Sequence, residues 1–146
     1  MATTPAPLHP PSPTNYTNSD GLGLRLQCFL VIRDAARKIA CVQLKGTVGW
    51  SLPGETLQPN ESPDATATRV AHQWFGISLP SQLVAVQSYP EDGDRKWYLL
   101  FIYEAQAPAK GLPLLDDTAK VTFAAPGSPP GTFAMDHGTV FGRLPR

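Results

Sequence analysis

The stretch 50–77, WSLPGETLQPNESPDATATRVAHQWFGI, decides how the rest of the chain is read. Pro53-Gly54 marks a turn, and a polar loop runs on to Asn60. Helix-start signals follow. Ser62 is placed to cap. Pro63 sits at the first helical position, where its missing N–H is no loss. Asp64 meets the positive end of the helix dipole. Ala65, Ala67, Arg69, Val70, Ala71, Gln73 and Trp74 continue the helix, and Gly76 ends it.

Upstream, Leu24, Leu26, Cys28, Leu30 and Ile32 alternate with Arg25, Gln27, Phe29, Val31 and Arg33. The period of two predicts a strand. From Cys28 onward it is apolar on both faces, as a strand well inside a sheet would be. Residues 34–38 are a polar turn and 39–45 return as a second strand, a hairpin. Downstream, 83–89 reads as a strand and Asp92-Gly93 as a turn. Residues 96–105 give the clearest strand, with Trp97, Leu99, Phe101 and Tyr103 on one face and Tyr98, Leu100 and Ile102 on the other. Residues 120–125 make a last strand and 135–143 a short closing helix. Hairpins mixed with two helices, without strict βαβ alternation, predict an α/β chain with a mixed sheet between helices.

A chain of 146 residues is long enough for one domain with a real core. That domain is placed at 22–146. Residues 1–21 are rich in Pro, Ser and Thr and nearly free of large aliphatics, so they are expected to stay disordered. The formal net charge is +0 and Lys and Arg form no cluster, which argues against nucleic acid and against a membrane surface as partner. The longest apolar run, 97–103, is too short to span a bilayer. The N-terminus lacks the basic-then-apolar layout of a signal peptide. With only two cysteines, the expected location is cytoplasmic. Cys28 and Cys41 read as small buried residues on neighbouring strands rather than a disulfide. His9, His72 and His137 are scattered without ligand spacing, so zinc is not expected, and His72 is read as exposed.

The loop, capped helix and glycine of 50–77 resemble the Nudix box, G-x5-E-x7-R-E-U-x-E-E-x-G-U, where U is a bulky aliphatic residue. The match falls on Glu61, Arg69, Gly76 and Ile77 without a gap, and Trp50, Leu52, Pro53 and Gly54 look like the family's flank. The departures are chemical. Glu55 stands at the box glycine, Val70 at the glutamate after the arginine, and Gln73 and Trp74 at the glutamate pair. Ala71 holds the aliphatic position.

The resemblance implies a Nudix-like α/β/α sandwich with a mixed sheet. In it, Gly54, Glu61, Arg69 and Gly76 shape the box, and Val70, Gln73 and Trp74 face the cleft. Family members cut a nucleoside diphosphate linked to another moiety, usually with Mg²⁺ or Mn²⁺. Their box glutamates share one side of the helix and hold the metal, which neutralises diphosphate charge and activates water. Here Val70 offers no ligand, Trp74 only an indole donor, and Gln73 one neutral carbonyl. No metal or other cofactor is therefore expected, unless relocated ligands hold Mg²⁺ or Mn²⁺. Glu61, Glu104, Asp116 and Asp117 are the candidates for that catalytic role. Against it stand a bracing contact to Arg69 for Glu61 and a solvated loop for the two aspartates.

Three functions compete. The preferred one is a domain that lacks standard metal-dependent hydrolysis and binds a nucleotide-like or other small molecule in its cleft. The second is a phosphoanhydride hydrolase with relocated ligands. The third is a protein-interaction module using the former metal face, with a homodimer among its forms. Trp74 is expected to fold into the cleft and fill it, and otherwise to serve as a contact anchor.

Overall fold

The structure, a computed structural model, describes residues 15–17, 23–90, 96–134 and 137–144. The elements are β1 (Asn15–Thr17), β2 (Gly23–Arg33), β3 (Ile39–Leu44), β4 (Gly54–Thr56), α1 (Pro63–Phe75), β5 (Ser81–Pro90), β6 (Lys96–Gln106), β7 (Thr118–Ala124) and α2 (His137–Gly142). Most of the Pro-rich tail, the Asp92-Gly93 turn and the first two residues of the expected closing helix lie outside the described residues. Within the tail, the expectation of disorder needs correcting at one place: Asn15–Thr17 pair with 23–25 of β2. Backbone pairing needs no large aliphatic side chains, so composition did not reveal it.

The strands form one mixed seven-stranded sheet with the main order β5-β6-β2-β3-β7. β2 and β6 run parallel, whereas β5–β6 and β3–β7 are antiparallel. The α/β/α sandwich is thus present. On one face Cys28, Leu30, Ile32 and Val42 pack with Ala67, Val70, Ala71 and Phe75 of α1. On the other, Phe29, Val31, Leu52, Leu100 and Ile102 pack with Val140 and Phe141 of α2. Cys28 and Cys41 lie in opposite layers and are unbridged, and burial pushes both thiols up to about 12. Trp97, near the start of β6, is exposed. No helix among the described residues is long and apolar enough to cross a membrane.

Local chemistry explains α1. Ser62 Oγ accepts the Ala65 N–H at 3.1 Å, and Gly76, at φ 69°, returns its N–H to His72 O at 2.9 Å. Thr66, Ala67, Val70, Ala71 and Phe75 form the buried stripe.

The hairpin of β2 and β3 departs from expectation. The two strands pair only at Arg33–Ile39 and then separate. Segment 51–56 threads between them. Ser51 exchanges backbone hydrogen bonds with Val42 at 2.7 and 2.8 Å, Pro53 O accepts the Leu30 N–H at 2.9 Å, and β4 pairs with 27–29 of β2. The second edge of β2 is therefore shared by β1, β4 and β3 in turn, and the fork creates room for a cleft.

Gly54 permits this insertion. A Cβ there would lie 2.6 Å from Phe29 Cδ1 and 3.0 Å from the Cys28 carbonyl oxygen, and Phe29 is locked in the core. Gly54→Ala is expected to lower stability by at least about 1 kcal/mol through overpacking. A urea midpoint equal to the parent's would show that Phe29 has room to move.

Candidate functional site

Behind the box loop, Arg69 and Glu61 form a closed knot. Arg69 Nε donates to Glu61 Oε2 at 2.8 Å, and Nη2 donates both to Glu61 Oε1 at 2.9 Å and to Thr56 O at 2.9 Å. Nη1 donates to Gln73 Oε1 at 3.0 Å. Glu61 Oε1 also accepts from the Gln58 N–H at 3.0 Å and from Thr66 Oγ1 at 2.8 Å. The two side chains are 20% and 14% exposed, so this bidentate pair is largely shielded. It ties β4, the loop and α1 together.

Burial by itself raises the Glu61 pKa. Hydrogen bonds from Arg69, Gln58 and Thr66, with the charge of Arg69, outweigh it and hold the carboxyl below its ordinary value of 4.5. Glu104 is lowered in the same way: burial raises it, and Arg37 and Arg33 overcome that. A carboxyl depressed in the folded state contributes stability above its unfolded pKa and loses it as pH falls through the folded value. Unfolding free energy should therefore stay level from neutral pH down to about 5 and then fall steadily under acid. Glu61→Gln should flatten part of that fall, as measured by urea titrations at several pH values. An acid limb as steep as the parent's would remove Glu61 from the linkage.

The four candidate acids do not converge. Glu61 is saturated by the knot. Glu104 sits elsewhere, accepting from Arg33 Nε at 2.9 Å and Arg37 Nη1 at 3.0 Å beside a hollow of about 280 Å³ lined by Pro80, Ser81 and Gln82. Asp116 is exposed on its loop. Of the three acids outside the box, Asp117 alone reaches it, lining a cavity of about 450 Å³ with Glu55, Arg69, Gln73 and Trp74.

The positions read as the cleft face also need correcting. Val70 is fully buried in the α1 layer of the core and lines neither cavity described beside α1. Its place in the buried stripe turns it toward the sheet. Gln73 is engaged by Arg69. Trp74 is half-buried, and its Nε1 donates to Glu55 Oε1 at 3.2 Å. The indole does not fill the cleft. It forms a wall between the 450 Å³ cavity and a larger one of about 540 Å³. The hydrogen bond ties its Nε1 to Glu55 of β4, and both residues line both cavities.

The larger cavity opens in the fork between β2 and β3. Its walls include Gln27 and Phe29 of β2, Glu55 and Thr56 of β4, Trp74, and His137 at the start of α2. Sequence reading missed His137 as a wall residue. Only tertiary contacts bring it there. The Trp50 N–H donates to Thr132 O at 2.9 Å and the Ala134 N–H to Trp50 O at 2.8 Å, clamping loop 131–134 onto Gly49 and Trp50. The Leu52 N–H then reaches His137 Nδ1 at 2.9 Å, and the imidazole meets the Phe29 ring edge-on at 5.1 Å between centroids. Because Nδ1 accepts, the ring proton resides on Nε2.

The donor set does not suit a hard divalent cation. Of the three positions that the box would give to metal, one is core, one is committed to Arg69 and one is an indole. Among the described residues, no group of three or more His, Cys, Asp or Glu is placed to hold a metal.

A mixed sheet between two helices, with a capped helix behind a looped box, is the Nudix fold, and solved structures bear it out. A MutT NUDIX hydrolase from Burkholderia pseudomallei is similar at TM-score 0.65 and 17% identity, over 84% of this chain and 98% of that one. A MutT protein from Methanosarcina mazei Go1 is similar at TM-score 0.62 and 15% identity, over 82% and 90%. The NUDIX domain of Shewanella oneidensis NrtR, solved in complex with ADP ribose, is similar at TM-score 0.57 and 17% identity, over 80% and 82%. No protein-family model and no curated protein matches the sequence. The chain is a Nudix-like domain by fold.

Proposed function

We propose that this Nudix-like domain binds a small molecule, nucleotide-like or otherwise, in the 540 Å³ cleft and has given up standard metal-dependent hydrolysis. The observation that carries this is the joint state of the cleft and the box. The cleft is large enough for a small ligand and has aromatic and hydrogen-bonding walls. The box residues beside it serve the core, the Arg69 knot and the cleft wall. The ADP ribose in the NrtR domain supports a ligand with a nucleoside-like ring. Two buried thiols in opposite layers suit a reducing, cytoplasmic setting.

A thermal-shift screen with nucleosides, nucleotides and sugars tests the reading, since a ligand that binds only the folded state raises its melting temperature. Mg²⁺ and Mn²⁺ are expected to bind no better than about millimolar by calorimetry, because Mg²⁺ gives up its hydration shell reluctantly to so few oxygen ligands. One observation favours a second reading: Glu55 and Asp117 line the same 450 Å³ cavity. A micromolar metal site with metal-dependent phosphoanhydride cleavage, both lost in Asp117→Ala, would make relocated ligands the correct account. A panel without any shift would favour the interaction module.

A further inference from the structure

We infer that the cleft discriminates by charge: it accepts an uncharged or cationic planar aromatic whose edge carries N–H donors, and disfavours such a ligand when it bears phosphates. The inference rests on the small-molecule reading above and narrows its ligand class.

The charges facing the two neighbouring cavities, which share Leu44, Glu55 and Trp74 in their walls, point to this. On the larger side, the ionisable wall residues among the described ones are Glu55 and His137, and none of the described lining residues is Lys or Arg. His137 accepts the Leu52 N–H at Nδ1, a bond that requires the neutral ring. On the smaller side, Glu55 and Asp117 face Arg69, whose guanidinium is already committed to Glu61, Thr56 O and Gln73 Oε1. Arg69 spends its hydrogen bonds on Glu61, Thr56 O and Gln73, so it offsets Glu55 and Asp117 only through its charge. What remains is negative. A phosphate there would meet two carboxylates, and the one guanidinium among the described lining residues, Arg69, is already engaged by Glu61, in a partly enclosed space where solvent screens less than in bulk.

The same walls suit a different ligand. Trp74 presents an indole on which a planar ring stacks. It fixes one oxygen of Glu55 at 3.2 Å, and among the described residues no other hydrogen bond to that carboxylate is formed. A carboxylate has about four lone-pair sites, so Glu55 retains capacity to accept N–H donors from a ligand edge. A cation gains charge pairing as well. Gln27, Thr47, Ser51 and Thr56 add neutral polar groups around the larger side.

Calorimetry and tryptophan fluorescence on the full chain decide the matter with four probes: adenosine, AMP, ADP and benzamidine. Affinity should fall along adenosine, AMP and ADP, with ADP at least about tenfold weaker than adenosine at low salt, and the gap should narrow as salt screens the repulsion. Benzamidine should bind at least as well as adenosine. Glu55→Gln should weaken benzamidine and improve ADP. Trp74→Phe should abolish the fluorescence change while leaving the charge order intact. If either variant fails to fold, the parent's ladder of phosphates still decides. ADP binding as tightly as adenosine would overturn charge discrimination and leave the binding function standing. If the wider panel of nucleosides, nucleotides and sugars gives no shift at all, the binding function itself fails and this inference falls with it.

Discussion

Val70→Glu, the substitution that would write a box glutamate back into the helix, is expected to lower stability by about 4 kcal/mol or more at neutral pH, enough to unfold a marginal domain. Val70 has no solvent exposure and belongs to the layer that joins α1 to β2 and β3. A carboxylate placed there leaves water without a partner, since the neighbouring Arg69 is committed to Glu61. The buried acid would take up a proton, which raises its folded pKa above the unfolded one. The sign is then opposite to that of Glu61: the variant is least unstable below the ordinary carboxyl pKa and loses stability as pH rises from there through its raised folded pKa. Urea melts at pH 5 and pH 7.5 read this directly. A variant as stable as the parent at both would show that the side chain reaches the cleft after all. Restoring all three box positions therefore mixes a folding defect with a test of chemistry. Gln73→Glu alone is cleaner, because it adds a carboxylate to the cavity that already holds Glu55 and Asp117.

Removing the cation of the knot should be nearly as damaging. Arg69→Ala is expected to lower stability by about 3 kcal/mol, toward the range for stripping one partner from a shielded pair. Glu61, 14% exposed, would lose its cation, and Thr56 O would lose its donor. Glu61 would keep Gln58 and Thr66, so Glu61→Gln should be milder. The double variant should recover part of the loss, because no orphaned charge remains. Denaturant melts of all three close the cycle. An unaltered melt for Arg69→Ala would mean that the pair is a solvated contact with no bracing role.

The helix was legible because its signals are local. Ser62, Pro63 and Gly76 act within a turn of themselves, and the apolar density of β2 and β6 marks buried strands without reference to anything distant. The cleft was not legible, because it depends on where segment 51–56 inserts. That is settled by the fit of Gly54 against Phe29 and by backbone pairing with two strands at once. Val70 shows how a resemblance misled where periodicity would have helped. Its box position pointed to the cleft, yet Thr66, Ala67, Val70, Ala71 and Phe75 already described a stripe of helical spacing. His137 had no local signal. Loop 131–134, held against Trp50, delivers it.

The pairing of β2 with β6 also sets an order of events during synthesis. Gly23 lies opposite Lys96 and Arg33 opposite Gln106, so every rung joins residues 73 positions apart. The apolar run of β2 leaves the ribosome long before its parallel partner exists, and closing so long a loop is slow. Until then Phe29, Leu30, Val31 and Ile32 have one bare strand edge, with only β3, the 51–56 segment and α1, which emerge before β6, for cover. The nascent chain is expected to be aggregation-prone in that interval, with the sheet completed only after β6 has emerged.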